Sequence, residues 1–152
     1  LYALIWAFNF WLMLHMIKLA VGVRDVAHLA EIQANRARTA PPLRHQTRNM
    51  PKRADEIIAG GSIYWVINRV VLVRQRITGI IRDVWDDGSA CAGLVLDAEL
   101  VRVAGRGTKP FQGWRYLNAA DAPPDIGATG VVSGIDELPE PLRQALTQLA
   151  LL

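Results

Sequence analysis

SIYWVINRVVLVRQRITGIIRDV, residues 62–84, is the stretch on which the fold turns. It is dense in β-branched and aromatic residues, the types that fit a pleated and largely buried surface. The break at Asn68 and Arg69 divides it into a strand over 62–68 and a longer one over 70–84. Alternation along the second strand places Arg74 and Arg76 on one face with Leu72, and Val71, Val73, Gln75 and Ile77 on the other. Two like charges side by side on a sheet face repel unless something negative meets them. An acidic neighbouring strand carrying Asp97 or Glu99 is one answer, and a phosphate is the other.

Working outward, Asp87-Gly88 is a hairpin signal, and CAGLVLDAELVRVA (91–104) reads as the returning strand. Gly105 to Pro110 reads as a flexible turn, and FQGWRYL (111–117) as one more short strand. Upstream, HMIKLAVGV (15–23) is a strand closed by Gly22, and Asp25 caps a helix reaching about Arg38 before Pro41-Pro42 stops it. RADEIIA (53–59) is a short helix ended by Gly60-Gly61. Near the C-terminus Pro141 suits a first helical position, and Leu142, Leu146 and Leu149 form one stripe, for packing on the domain or for a protein partner. Two early helices, then strands in series without βα alternation, predict an α+β domain: a small, mostly antiparallel β-barrel or curled sheet with peripheral helices.

The chain of 152 residues suits one domain, spanning 13–152, after an apolar extension over 1–12. That extension, within LYALIWAFNFWLML, falls short of a membrane-spanning helix and lacks the basic region of a signal peptide. An over-extended gene start, a docking arm and a membrane anchor are its three readings; the first is favoured, and no membrane partner is expected.

Charge is unevenly distributed. From His15 to Arg82 there are 12 Lys/Arg against 4 Asp/Glu, and from Asp83 onward 5 against 10. Such asymmetry steers anionic partners. Of the 17 basic residues 14 are arginine, the side chain suited to bidentate contact with phosphate or carboxylate, although GC-rich coding produces the same bias. Cys91 is the only cysteine and His15, His28 and His45 the only histidines. No intrachain disulfide, thiolate cluster or recognisable zinc site follows, and a reducing, cytoplasmic setting is expected. No cofactor motif is present: there is no phosphate-cradling glycine loop, HExxH or GxSxG. Asp83, Asp86 and Asp87 hint at a cation site or, more simply, a charged hairpin tip.

The basic stretch RHQTRNMPKRA (44–54) reads as a loop, either a solvated connection or the floor of an anion site built from Arg44, His45, Arg48, Lys52 and Arg53. Tyr64 and Trp65 alternate faces, one entering the core and the other free to stack on a base. Trp114, beside Arg115 and Tyr116, poses the same choice. For catalysis, His45 as a base with Asp55 or Glu56 as an acid are the available groups, though no spacing joins them.

HMIKLAVGV, TRNMPKRADEIIAGGSIYWVI, VRQRI and KPFQGWRYLNAADAPPD resemble a family of small alphaproteobacterial proteins of unknown function, domain family 1489 (DUF1489), from Met13 to the C-terminus. Members begin near the equivalent of Met13, and the family carries no catalytic residue to transfer. PKRADEIIAGGSIYWVI is also similar in layout to the PUA-like superfamily, including its ASCH and EVE branches: proline, short helix, glycine, strand. That resemblance implies a small β-barrel and a cleft beside the helix for RNA or a modified base, lined by Arg48, Lys52, Arg53, Tyr64, Trp65 and Arg74, with Arg76 beside them. Gly61 stands where the ASCH branch often has lysine, which puts an enzymatic role in doubt. The expected function is a nucleic-acid-binding module for RNA, single-stranded nucleic acid or a nucleotide-like anion. The alternatives are a small enzyme on a nucleotide or other anionic metabolite, and a protein-interaction domain.

Overall fold

β4, the 15-residue strand Val70–Val84, is the spine of the structure, which is a computed structural model describing residues 13–126. Around it stand β1 (Leu14–Leu19), α1 (Val26–Thr39), β2 (Arg44–Thr47), α2 (Ala54–Ile58), β3 (Ser62–Ile67), β5 (Ala90–Leu96), β6 (Val101–Gly107) and β7 (Trp114–Asn118), with a 3-10 turn at Ala119–Asp121. The strands form one curled, half-barrel sheet in the order β2-β5-β4-β3-β1-β7, and β6 pairs with β4 beyond the end of β5. Every pairing is antiparallel except β1 with β3, whose connection carries both helices and β2. The expected α+β curled sheet with peripheral helices is therefore what forms.

Two bulges bend the spine. Trp65 pairs with Val73 but Val66 with Val71, so Leu72 is an extra residue. Ile77 pairs with Leu96 but Gly79 with Val95, so Thr78 is a second. A bulge kinks its strand and increases the local twist, which lets one long strand serve both halves of the curl. It also resets alternation. Val73, Gln75 and Ile77 are fully buried on the helix-covered face, as predicted, but Val71 packs into the cluster on the other face and Leu72 against the helix side. A strict period of two cannot anticipate an inserted residue.

Three further expectations are corrected. Residues 44–47 form β2 rather than loop, paired to β5. Its polar sequence disguises it, because as an edge strand it sends Arg44 and Gln46 to the Asp83 carboxylate instead of burying apolar groups. The strand predicted over 91–104 is split. Asp97 donates its N–H to the Arg76 carbonyl (2.9 Å) and accepts from Glu99 N–H through its side chain (2.9 Å), a local turn that ends β5. The predicted flexible turn from Gly105 begins instead as the end of β6.

The core has two parts because the central strands are covered on both faces. All six residues of β3 are buried. Ile63, Trp65 and Ile67 join Met16, Ile57 and Leu94 under the helices, while Tyr64 and Val66 join Ile17, Val103 and Leu117 on the opposite face. Asp25 caps α1 as the sequence predicts, its Oδ1 accepting the His28 N–H at 2.7 Å. Gly61 sits where α2, β1 and β4 converge. Its N–H donates to the Ile57 carbonyl, and a Cβ there would lie 2.6 Å from that oxygen and against the Leu14 carbonyl. No side chain fits at this position. Among the described residues no helix is long and apolar enough to cross a membrane. The extension over 1–12 and the leucine stripe at 142–149 lie outside the described residues.

Across the helix-covered core runs one polar contact. Gln33 Nε2 donates to Gln75 Oε1 (2.9 Å), Gln75 Nε2 donates back to Gln33 Oε1 (2.7 Å) and to the Asp97 carbonyl (2.7 Å), and Trp65 Nε1 donates to Gln75 Oε1 (3.1 Å). The Gln75 amide thus uses both donors and both acceptor sites. Replacing Gln75 with leucine strands the Gln33 amide, the indole N–H and a carbonyl, and is expected to cost about 3 kcal/mol or more in urea unfolding. At the β3–β4 turn, Asn68 (φ 52°) and Arg69 (φ 67°) both occupy the left-handed region that glycine tolerates best. Arg69→Gly is expected to raise stability by about 1 kcal/mol in the same assay.

Candidate functional site

The arginines of β4 open onto a cavity on the face opposite α1, beside the end of α2. It has a volume of about 470 Å³ and is lined by His15, Ser62, Tyr64, Arg74, Arg76 and Asp125, with Gly60 at the end of α2 and Pro123 and Pro124 forming a wall. The size lies within the range of small-molecule sites. The wall is fixed to β6, since Ala104 N–H donates to the Pro124 carbonyl (2.8 Å), and Asp125 bridges to Val103.

Part of this cavity is internally paired. Arg74 clasps the Asp125 carboxylate through Nε and Nη2, both at 2.7 Å, and reaches Ser62 Oγ at 3.2 Å. The carboxylate that meets Arg74 is thus Asp125 and not Asp97 or Glu99. Ser62 N–H donates to His15 Nδ1 at 2.9 Å, so the neutral imidazole carries its proton on Nε2. The His15 ring stands edge-on to Tyr64, centroids 5.1 Å apart.

The remainder is unpaired. Arg76 makes only long contacts with the carbonyls of Ile77 (3.5 Å) and Ile58 (3.4 Å) and meets no carboxylate among the described residues. Neither the Tyr64 hydroxyl nor His15 Nε2 has a hydrogen-bond partner among the described residues. Burial, then the charges of Arg74 and Arg76, push His15 down to about 4, and burial pushes Tyr64 up to about 12. Both therefore stay neutral at physiological pH, as donors beside an unmatched guanidinium. A neutral imidazole N–H, a phenol and a guanidinium together suit an oxyanion.

The other residues singled out by sequence are distributed elsewhere. Trp65 lies on the helix face, 4% exposed with its indole N–H on Gln75, and Tyr64 is equally buried, so neither stands on an open surface where a nucleic-acid base could stack. Arg44 and His45 line a second cavity beneath α1. Arg48 and Lys52 are exposed and line neither cavity. Arg53 pairs with Glu56 (2.6 and 2.8 Å) and lies 5.4 Å over the Tyr116 ring, which packs edge-on to Trp114. His45 meets neither Asp55 nor Glu56 in its cavity. Asp83 is held by Arg44 and Gln46 of β2, Asp87 closes the hairpin by accepting from Ser89 N–H and Oγ, and no metal-holding cluster occurs among the described residues.

Sequence reasoning missed His15 and Asp125. The first sits in a strand that reads as simple core, and the second is brought to β4 from 51 residues away. The one available signal was alternation, which puts His15 on the opposite side of β1 from Leu14 and Met16.

A family model described as a protein of unknown function (DUF1489) matches residues 16–152, and the chain belongs to that family. No curated protein and no solved structure matches it.

His45, like His15, is pushed down to about 4, by burial first and then by Lys18 and Arg36. Both rings fold in neutral form, whereas the unfolded chain protonates near the ordinary histidine value of 6.5. Their contribution is therefore complete above that pH and is lost as pH falls from 6.5 toward 4. Urea unfolding between about pH 7 and pH 4.5 should show a loss on the order of several kcal/mol. His15→Asn and His45→Leu should each flatten the dependence, and His45→Leu should do so without lowering stability at neutral pH, because its Nε2 is buried without a partner.

Proposed function

We propose that this protein is a cytoplasmic binding module for phosphate-bearing ligands of the nucleotide class, with RNA the leading carrier, and that the phosphate is held in the cavity of His15, Tyr64 and Arg76. The observation that carries the reading is a set of three donors lining one cavity, two of them without a hydrogen bond and the third a full positive charge that meets no carboxylate among the described residues. A donor already engaged has nothing to offer a ligand; Tyr64 Oη and His15 Nε2 make no hydrogen bond among the described residues, and Arg76 makes only two long carbonyl contacts. The excess of basic residues in the first half of the chain, with Arg48 and Lys52 exposed, supports attraction of a polyanion. The cavity also borders the glycine end of α2, where the PUA-like resemblance of residues 51–67 puts a ligand cleft. Because Tyr64 and Trp65 are both buried, recognition rests on phosphate rather than on base stacking.

One observation favours a second reading, a small enzyme on a nucleotide or other anionic metabolite: a histidine and a carboxylate, His15 and Asp125, share this cavity with two arginines. Against it, Asp125 is taken by Arg74 in a bidentate pair and is not poised as a base.

The test is fluorescence anisotropy of the full chain with labelled single-stranded RNA and DNA, with and without a 5′-phosphate, at two salt concentrations. Binding that weakens steeply with salt is expected, with Arg76→Met costing about tenfold or more. Arg48→Ala with Lys52→Ala should reduce the salt slope while leaving nucleoside monophosphate binding unchanged. Absence of binding to nucleic acid and nucleotide alike by the folded chain at low salt would sink the proposal. Turnover of a nucleotide that requires His15 would instead favour the enzyme.

A further inference from the structure

On the opposite face, beneath α1, a second cavity of about 150 Å³ lies between that helix, β1 and β2. Its wall is apolar, made by Val23, Leu29, Leu43, Leu96 and the Trp65 ring, and the His45 imidazole stands perpendicular to that indole with centroids 5.2 Å apart. Among the described residues its charged groups are Lys18, Arg36 and Arg44, with no aspartate or glutamate in the lining. Arg44 is taken by Asp83. Lys18 and Arg36 meet no carboxylate among the described residues. Lys18 is partly buried, and the loss of hydration lowers the pKa of its ammonium.

A half-buried ammonium above an apolar floor, without a counter-charge, is an arrangement that an anion improves. The volume limits what can enter. A dry cavity of about this size accommodates one benzene-sized ring, so a nucleic-acid strand cannot occupy it. The site is also separate from the oxyanion cavity, because Tyr64 and Trp65 are consecutive on β3 and face opposite ways.

We infer that this cavity is a second ligand site, specific for a single flat ring bearing one carboxylate, with the ring against Trp65 and Leu29 and the carboxylate between Lys18 and Arg36. The inference is independent of the phosphate site. Lys18 sits on β1, where a flexible stem lets its ammonium follow the carboxylate. Arg36, exposed on α1, lines the same cavity and supplies the planar fork.

Isothermal titration calorimetry of the full chain with benzoate, benzamide and acetate tests it. Benzoate should bind at least about tenfold more tightly than benzamide, which lacks the charge, and than acetate, which lacks the ring. Lys18→Met should weaken benzoate by about tenfold, and Arg36→Met, on an exposed helix surface, provides the same readout should the strand variant fail to fold. Arg76→Met, on the other face, should leave benzoate binding unchanged. Equal affinity for benzoate and benzamide, no heat with benzoate, or sensitivity to Arg76→Met in place of the Lys18 and Arg36 variants would overturn the inference. None of these results bears on RNA binding, so failure here and failure of the phosphate reading remain distinguishable.

Discussion

The amide of Gln75 is the point at which the layers of this protein are tied together. It lies fully buried in the middle of β4 and accepts or donates to groups from α1, β3 and the turn after β5. An unsatisfied amide in that position would be a serious liability, since a buried polar group without partners costs the full price of its desolvation. Satisfied on all four sites, it acts as a register pin. Slipping β4 by one residue would bring Arg74 or Arg76 under α1, where a charge would replace a neutral amide and three partners would be orphaned. The pin therefore also decides which way the arginines point.

From that orientation the two cavities follow. With Gln75 inward, Arg74 and Arg76 face away from α1, together with Tyr64 and Ser62 of β3 and His15 of β1. Lys18, Trp65 and His45 face the helices. Gly61 keeps the first cavity close to α2, because only a residue without a side chain lets Leu14, Ile57 and the start of β3 approach so nearly.

The two sites also differ in how their charges are met. Arg74 holds a carboxylate from the segment after β7, so its charge is spent within the fold, and Arg76 two residues on is not. Beneath α1 the same division recurs, with Arg44 paired to Asp83 while Lys18 and Arg36 stay unmatched. Paired and unpaired cations occur in both places: one member orders the wall, the other meets no carboxylate among the described residues.

Local chemistry was enough to specify the helix cap at Asp25, the hairpin at Asp87-Gly88, both strands of residues 62–84 and the α+β class, while the family was legible only as a resemblance. Each depends on residues close in sequence, whose propensities and spacing act without a tertiary context. β2 escaped notice because an edge strand that bonds its polar heads to a neighbour carries no apolar alternation. The side on which Leu72 falls escaped it because a bulge is an extra residue that only pairing reveals. Likewise the sequence reading put Arg44, His45, Arg48, Lys52, Arg53, Tyr64, Trp65, Arg74 and Arg76 in one anion-binding site, without separating Tyr64, Arg74 and Arg76 from Arg44 and His45. Only the folded sheet put the two groups on opposite faces, added His15 to one and Lys18 to the other, and brought Asp125 to Arg74. Which cations remain free for a ligand is a property of long-range pairing, and no local pattern encodes it.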